Sequence, residues 1–367
     1  MNTPRPIHVS FVIDRLSRAG TESQLLALLQ GLDRNKFHPS LVLLDGTDEE
    51  SQSLEPQGLP IIRLGLKRLL GPEAIRASAS LLRFWRKDRP DVVQSYFLDS
   101  SYFAIPLARL LGIRKVVRVR NNLGYWLNGK HLPLGRLMGR LAHWTLTNSE
   151  VGKRALNEIE RGNASKIAVI ENGVDLERFR ECSPVFWENR VLTVGAVANL
   201  RPVKNIDGLI RVASQLRHLP LRWEVAGTGP EQNHLLHLIE SYQLADRFFL
   251  KGAIQEIPTF LKGIDIAVLP SHSESMSNAL LEYMAAGRAI VATDTGANAT
   301  LVRHGIEGQI VPPKTDPLLA QAIACYSKEP ILAHQHAKNA QKRVQERFSR
   351  QAMIHRFEEF YQACLKG

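Results

Sequence analysis

Two carboxylates, Glu274 and Glu282, stand eight residues apart in the stretch Ser271-His272-Ser273-Glu274-Ser275-Met276-Ser277-Asn278-Ala279-Leu280-Leu281-Glu282. The first follows a strand-like apolar run over 264–270, and the second lies in a helical stretch, 278–286, that Gly287 ends. In a parallel α/β sheet such a junction is where ligands bind, beyond the carboxyl end of a strand and at a helix N-terminus. Ser275, Ser277 and Asn278 are small enough to let backbone N–H groups approach a phosphate. A carboxylate on each side of an anion cradle suits a ligand whose hydroxyls flank its phosphates, as in a nucleotide sugar. A second segment supplies the cations. In Val194-Gly195-Ala196-Val197-Ala198-Asn199-Leu200-Arg201-Pro202-Val203-Lys204-Asn205 a strand ends in small residues, and Arg201 and Lys204 stand just ahead of a helix. A pyrophosphate calls for this set: a planar fork, a point charge beside it and a helix N-terminus. Taken alone, the two cations are ordinary surface charges. Beside Glu274 and Glu282, after strands on one sheet edge, they read as phosphate ligands.

Two further turns are less specific. Gly227-Thr228-Gly229-Pro230 follows a strand and permits close backbone approach to a ligand, but a purely structural turn with Pro230 in the first helical turn explains it equally well. Arg18-Ala19-Gly20-Thr21-Glu22 leads from the first strand into a helix and is another candidate phosphate or sugar contact. There is no P-loop and no nucleophile elbow, and no Asp-x-Asp pair offers ligands for a metal-bridged pyrophosphate. His234 and His237, like His334 and His336, read as solvated helix residues.

The elements that position these groups alternate from end to end. Strands are expected at 7–13, 39–44, 60–64, 91–96, 115–120, 145–148 and 166–170, then at 190–197, 221–226, 248–251, 264–270, 289–292 and 309–311, with helices between them. At 367 residues the chain is too long for one ordinary core. Periodicity lapses around Glu181–Trp187, so the expected division is an N-terminal domain over 1–182, a second over 183–345, and a helix over 346–367. The last helical stretch, 333–365, carries a break signal at Phe348-Ser349. No apolar run reaches the ~20 residues of a membrane span. Cys182, Cys325 and Cys364 are odd in number and scattered, which suggests no disulfide framework or zinc site and favours a reducing cytoplasm. The net charge of +11 is uneven: up to Val185 there are 27 Lys and Arg against 19 Asp and Glu, and beyond it 20 against 17. Arg109, Arg114, Lys115, Arg118, Arg120, Lys130, Arg136 and Arg140 fall in a stretch without acids, interleaved with Tyr125, Trp126 and Trp144. That is either a solvated face or a surface for an anionic partner such as a lipid headgroup or phosphorylated acceptor. A nucleic-acid partner is not expected, since no recognisable module lies beneath the charge.

Taken together these segments resemble the family-4 retaining glycosyltransferases of GT-B architecture. The resemblance rests on Ala19-Gly20-Thr21-Glu22, Thr147-Asn148-Ser149-Glu150, Asn172-Gly173-Val174-Asp175, Arg201 with Lys204, Ala226–Pro230, the Glu274-x7-Glu282 element and Ala286–Thr293. It implies an α/β fold of two doubly wound Rossmann-like domains facing across a cleft, with the C-terminal helix crossing back to the first. Arg201, Lys204 and Glu274 become the expected catalytic set, with Arg201 and Lys204 on the donor pyrophosphate and Glu274 on the transferred sugar. The backbone of Ser277, Asn278 and Ala279 would hold the distal phosphate, Glu282 the ribose hydroxyls, Ile254 the base, and Gly20 and Thr21 would close over the phosphates. No metal and no cofactor are expected, the nucleotide sugar being a substrate. Many relatives carry a histidine after the fifth strand; here Arg120, Asn121 and Asn122 occupy that place as acceptor-side candidates. The implied activity is transfer of a hexose-type sugar from a UDP- or GDP-sugar to a glycan or lipid-linked acceptor, in the cytoplasm and at the inner face of an anionic membrane. The alternatives are a sugar-phosphate synthase with a small phosphorylated acceptor, and a non-catalytic partner subunit of the same fold.

Overall fold

Apolar runs such as Val9 to Ile13 are buried continuously rather than alternately, which is the mark of strands covered by helices on both faces. The computed structural model describes residues 5–124, 131–161, 163–188 and 190–366. It divides into two units, one running to Asn172 and resuming at Gln351, the other spanning Gly173–Arg350.

The first unit holds a seven-stranded sheet, β1 (Ile7–Ile13), β2 (Phe37–Leu43), β3 (Ile61–Arg63), β4 (Val92–Ser95), β5 (Lys115–Val119), β6 (Trp144–Thr147) and β7 (Ile167–Val169). Their order is β3-β2-β1-β4-β5-β6-β7, every pair parallel. The second unit holds β8 (Leu192–Val197), β9 (Leu221–Ala226), β10 (Phe248–Gly252), β11 (Ile266–Leu269), β12 (Ala289–Thr293) and β13 (Gln309–Val311), ordered β10-β9-β8-β11-β12-β13 and also parallel. Both sheets are therefore doubly wound, and strand order reverses between β1 and β4 and between β8 and β11. At those points neighbouring loops leave in opposite directions and open a crevice at the carboxyl edge.

The expected strands and helices form with ends shifted by up to three residues, and the short helices Glu49–Ser53 and Asn298–Leu301 come in addition. Where the chain changes unit differs from the sequence expectation. Val174, Phe179 and Cys182 pack with Leu261, Leu280 and Met284 in the second core, so the passage falls ahead of the stretch where periodicity lapses. Hydropathy marks where regular structure stops, not where contacts change hands. The final helical stretch is two helices, Pro330–Arg347 and Arg350–Lys366. Their break at Phe348-Ser349 is held by Val174, whose N–H donates to the Phe348 carbonyl and whose carbonyl accepts from Arg350 N–H, each at 2.9 Å. The last helix belongs to the first unit: Met353 and Tyr361 join the core of Phe11 and Phe37, and Tyr361 Oη donates to Gln94 Oε1 at 2.9 Å. No helix among the described residues is long and apolar enough to cross a membrane.

Candidate functional site

The carboxyl edge of the second sheet gathers most of the sequence candidates at the β8/β11 reversal. Beyond β8, Pro202–Lys204 forms a single 3-10 turn, and Asn205 takes a left-handed conformation (φ +55°) before the helix Ile206–Gln215. Asn205 is buried, and its Nδ2 donates to the Pro270 carbonyl at 3.1 Å. The backbone N–H of His272 donates to the Val203 carbonyl at 2.8 Å. These two bonds staple the loop after β8 to the loop after β11, so Lys204 and Glu274 meet. Lys204 Nζ donates to Glu274 Oε1 at 2.6 Å, and Ser271 Oγ donates to the same oxygen at 2.8 Å. The Glu274 side chain is 9% exposed and that of Lys204 is 24% exposed, so a bound anion can reach the lysine while its partner stays sheltered. Arg201 is exposed and pairs with no carboxylate among the described residues.

The helix Asn278–Ala285 starts beside this pair, and Ser277 Oγ caps it by accepting from Leu280 N–H at 3.3 Å. One lone pair of the serine oxygen is thus used on the helix, and its O–H and the backbone groups at the helix start can still serve a ligand. Glu282 lies in the second turn, half-buried. Burial pushes its carboxyl up to about 7, with Arg178 pulling the other way. Arg178 in turn stands 3.8 Å from Glu256, in the loop beyond β10 that carries Ile254. The loop of Ile254 and the Glu282 carboxyl are thereby linked through one guanidinium.

Several supporting residues escaped the sequence reading. Tyr283 Oη, fully buried, accepts from Val197 N–H at 2.7 Å and donates to the Val268 carbonyl at 3.5 Å, which ties the helix of Glu282 to both strands of the reversal. Thr293 Oγ1 donates to the Ser271 carbonyl at 2.6 Å, and Asn298 Nδ2 to the Thr293 carbonyl at 3.0 Å. Gly296 (φ +57°) lies against the Glu274 peptide so closely that a Cβ there would fall 1.9 Å from the Glu274 carbonyl oxygen. Beside it, Ala297 N–H donates to the Ser275 carbonyl at 2.8 Å. No spacing rule marks these residues, since each acts across a chain gap on a neighbouring loop. The two readings of Gly227 and Gly229 are separable here. A Cβ on Gly227 would sit 1.9 Å from the Ala198 carbonyl oxygen and one on Gly229 2.4 Å from that of Leu200, so both glycines are required for the loop to pack against the end of β8.

In the first unit, Gly20 and Thr21 open the helix Gly20–Gly31 at the carboxyl end of β1, and no side chain caps it. Glu22 behind them is buried, accepts from Ser17 Oγ at 2.7 Å, and is raised by that burial. Asp14, at the end of β1, is pushed up to about 6 by burial, against the lowering effect of its bond from Ser100, whose N–H donates at 2.9 Å. Asn121 and Asn122 follow β5, and Asn121 with Gln24, Tyr96, Thr147 and Asn172 lines a cavity of about 20 Å³, room for a single water. Arg120 also follows β5, but it does not line that cavity. Its side chain is 4% exposed and turns inward to Glu160 at 2.9 Å, which also pairs with Arg118 at 2.5 Å. Alternation explains the correction: Arg118 and Arg120 share one face of β5, and that face looks into the unit. Tyr125, Trp126 and Lys130 of the basic stretch lie outside the described residues.

Both units are similar to known proteins. Residues 18–178 match the family described as Glycosyltransferase Family 4, and residues 185–343 match Glycosyl transferases group 1. The glycogen synthase of Mycobacterium tuberculosis is 26% identical over 81% of this chain and 75% of its own length. The lipopolysaccharide core biosynthesis mannosyltransferase LpcC of Rhizobium leguminosarum bv. viciae is 28% identical over 49% of this chain, and the match spans 55% of its length. Among solved structures, Anabaena Alr3699/HepE in complex with UDP and glucose superposes with a TM-score of 0.85 at 18% identity, covering 97% of this chain and all of that one. With the two family matches joined end to end across both wound sheets, the chain belongs to the family-4 glycosyltransferases of GT-B architecture.

Proposed function

We propose that this protein is a metal-independent, retaining glycosyltransferase that moves a hexose-type sugar from a UDP- or GDP-sugar to a glycan or lipid-linked acceptor in the synthesis of a cell-surface polysaccharide or glycoconjugate. The observation that carries the reading is the Lys204–Glu274 pair, held at 2.6 Å where the second sheet reverses and beside a helix N-terminus. Cleavage of a sugar–phosphate bond builds negative charge on the leaving phosphate. Lys204 and the backbone of Ser277, Asn278 and Ala279 meet that charge with groups already in place, and Arg201 adds a guanidinium free to move onto it. Glu282 accepts from the ribose hydroxyls, and Glu274 holds the sugar while steadying Lys204. The acceptor hydroxyl attacks from the face the phosphate leaves, and its proton passes to the departing phosphate oxygen. The acceptor class is supported by the mannosyltransferase relative, and the donor class by the UDP complex of a protein with the same fold. The basic surplus of the first unit supports work at the cytoplasmic face of an anionic membrane.

Lys204→Ala should lower nucleotide release from the preferred donor by roughly 10²-fold or more, the usual cost of losing one preorganised donor. Release of UDP and GDP from their sugars, with and without glycan and lipid-linked acceptors, measures it. Undiminished turnover in a folded variant would refute the donor-site assignment.

A further inference from the structure

A cavity of about 330 Å³ lies in the first unit between the helices His131–Leu141 and Glu150–Glu160. Arg118, Arg136, Arg140, Arg161 and Lys166 line it, with Glu160 as the one carboxylate. Thr145 and Ile167, at the starts of β6 and β7, form its floor, so it opens at the amino-terminal ends of those strands. Gly20, Thr21, Asn121 and Asn122 instead follow carboxyl ends. The cavity therefore belongs to a different edge of the sheet.

Its charge is out of balance. Glu160 is shared between Arg118 and Arg120, and all three side chains are no more than 4% exposed, which leaves one buried positive charge in excess at the wall. Part of the arginine content has a structural reason: Arg118 donates to the Gly135 carbonyl at 2.8 Å and Arg136 to the Ile159 carbonyl at 3.1 Å, which serve carbonyls in the two flanking helices. Arg140, Arg161 and Lys166 have no such role. They are exposed at the cavity and pair with no carboxylate among the described residues. Buried Nε atoms of Arg118 and Arg136 also lack acceptors. Buried positive charge is costly unless a counter-charge arrives, and the planar fork of a guanidinium matches the paired oxygens of phosphate as it does those of a carboxylate.

We propose that this cavity binds a phosphate ester, at a site separate from the donor site of the second unit. Its volume accommodates a phosphorylated monosaccharide or the headgroup of an anionic phospholipid. Leu134 and Leu137, exposed on the helix that also carries Arg136 and Arg140, make the headgroup source worth a separate arm.

The test uses the full chain and the variant Arg140→Gln/Lys166→Gln, whose side chains are exposed and whose loss leaves the buried triad intact. Inorganic phosphate, exchanged for chloride at constant ionic strength, should raise the melting temperature of the wild type. The double variant should bind it tenfold or more weakly, the cost of losing charge-assisted bonds, and Lys204→Ala should bind it as the wild type does. Vesicles of phosphatidylcholine with and without phosphatidylglycerol separate the sources. Retention on the anionic vesicles, lost in the double variant and competed by phosphate, identifies a headgroup, whereas phosphate binding without vesicle retention identifies a free ester. The proposal is overturned if phosphate and vesicle binding are both unchanged in the double variant, or if the phosphate effect disappears in Lys204→Ala. Arg161→Gln, tested alike, replaces the double variant should that one fail to fold.

Discussion

The carboxyl of Glu282 makes the pH dependence of donor binding a direct probe of the site. Burial raises it to about 7 from an ordinary value of 4.5, so much of it is protonated near neutrality when no ligand is bound. A ribose offers two hydroxyl donors and is best met by the ionised form. At pH 6 only about a tenth of the carboxyl is ionised and at pH 8 about nine-tenths, so the apparent Kd should fall about tenfold between the two. The phosphates of the nucleotide titrate near pH 6 as well, and Glu282→Gln separates the effects because it keeps the shape and removes the titration. Calorimetry of UDP and GDP binding at both pH values, at fixed ionic strength, should show the extra tenfold in the wild type and not in the variant. Linkage gives a second reading. A carboxyl raised in the folded state is destabilising once ionised: its contribution is fully favourable below about 4.5 and is lost as pH rises through about 7. Unliganded Glu282→Gln should therefore be more stable than the wild type at pH 8, with a ceiling of about 3 kcal/mol, and indistinguishable from it near pH 4. Equal pH slopes of binding in the two proteins would refute the assignment of Glu282 to the ribose.

Two substitutions test the supports of the two units. Gly296→Ala places a Cβ against the Glu274 carbonyl and forces alanine into a left-handed conformation that costs about 1–2 kcal/mol by itself; the displaced Glu274 should reduce turnover more than nucleotide affinity, measured as kcat against the Kd for UDP or GDP. Glu160→Gln leaves two buried guanidinium groups without a counter-charge and should cost about 3–5 kcal/mol in urea denaturation, while nucleotide binding by the folded fraction is unchanged.

The parts legible in the sequence are those governed by local rules. Period, turn residues and apolar runs place the strands of both sheets, and the Phe348-Ser349 break is visible because periodicity stops there. Lys204, Glu274 and Glu282 stand out as candidates because each follows a strand end or helix start, where fold chemistry gives a residue type its meaning. Residues acting across chain gaps are not. Tyr283 reads as one more apolar position on a helix face, and nothing local reveals that its hydroxyl takes the Val197 N–H. Arg178 sits in a short 3-10 turn far from Glu282 in sequence, and only the fold brings its charge to bear on that carboxyl. Arg120 misled for the opposite reason. Position after β5 suggested the sheet edge, but side-chain alternation with Arg118 sends it to Glu160.

Under the proposed donor site, the Lys204–Glu274 pair also bears on why a carboxylate faces the lysine assigned to the phosphate. A lone lysine at the sheet edge would sample many rotamers, and ordering it when a donor arrives would cost up to about 2 kcal/mol in side-chain entropy. Glu274, itself fixed by Ser271 and backed by the Gly296–Ala297 turn, holds Nζ in place beforehand. The ammonium has three N–H donors and gives one to Glu274, so two remain for phosphate oxygens. In the proposed transfer, charge building on the leaving phosphate competes with Glu274 for the same cation and gains on it, which would stabilise the transition state more than the bound donor. Arg201, exposed and paired with no carboxylate among the described residues, has no such restraint. In the proposed mechanism the two cations thus divide the work, with Lys204 positioned in advance for the developing charge and Arg201 free to follow the incoming pyrophosphate.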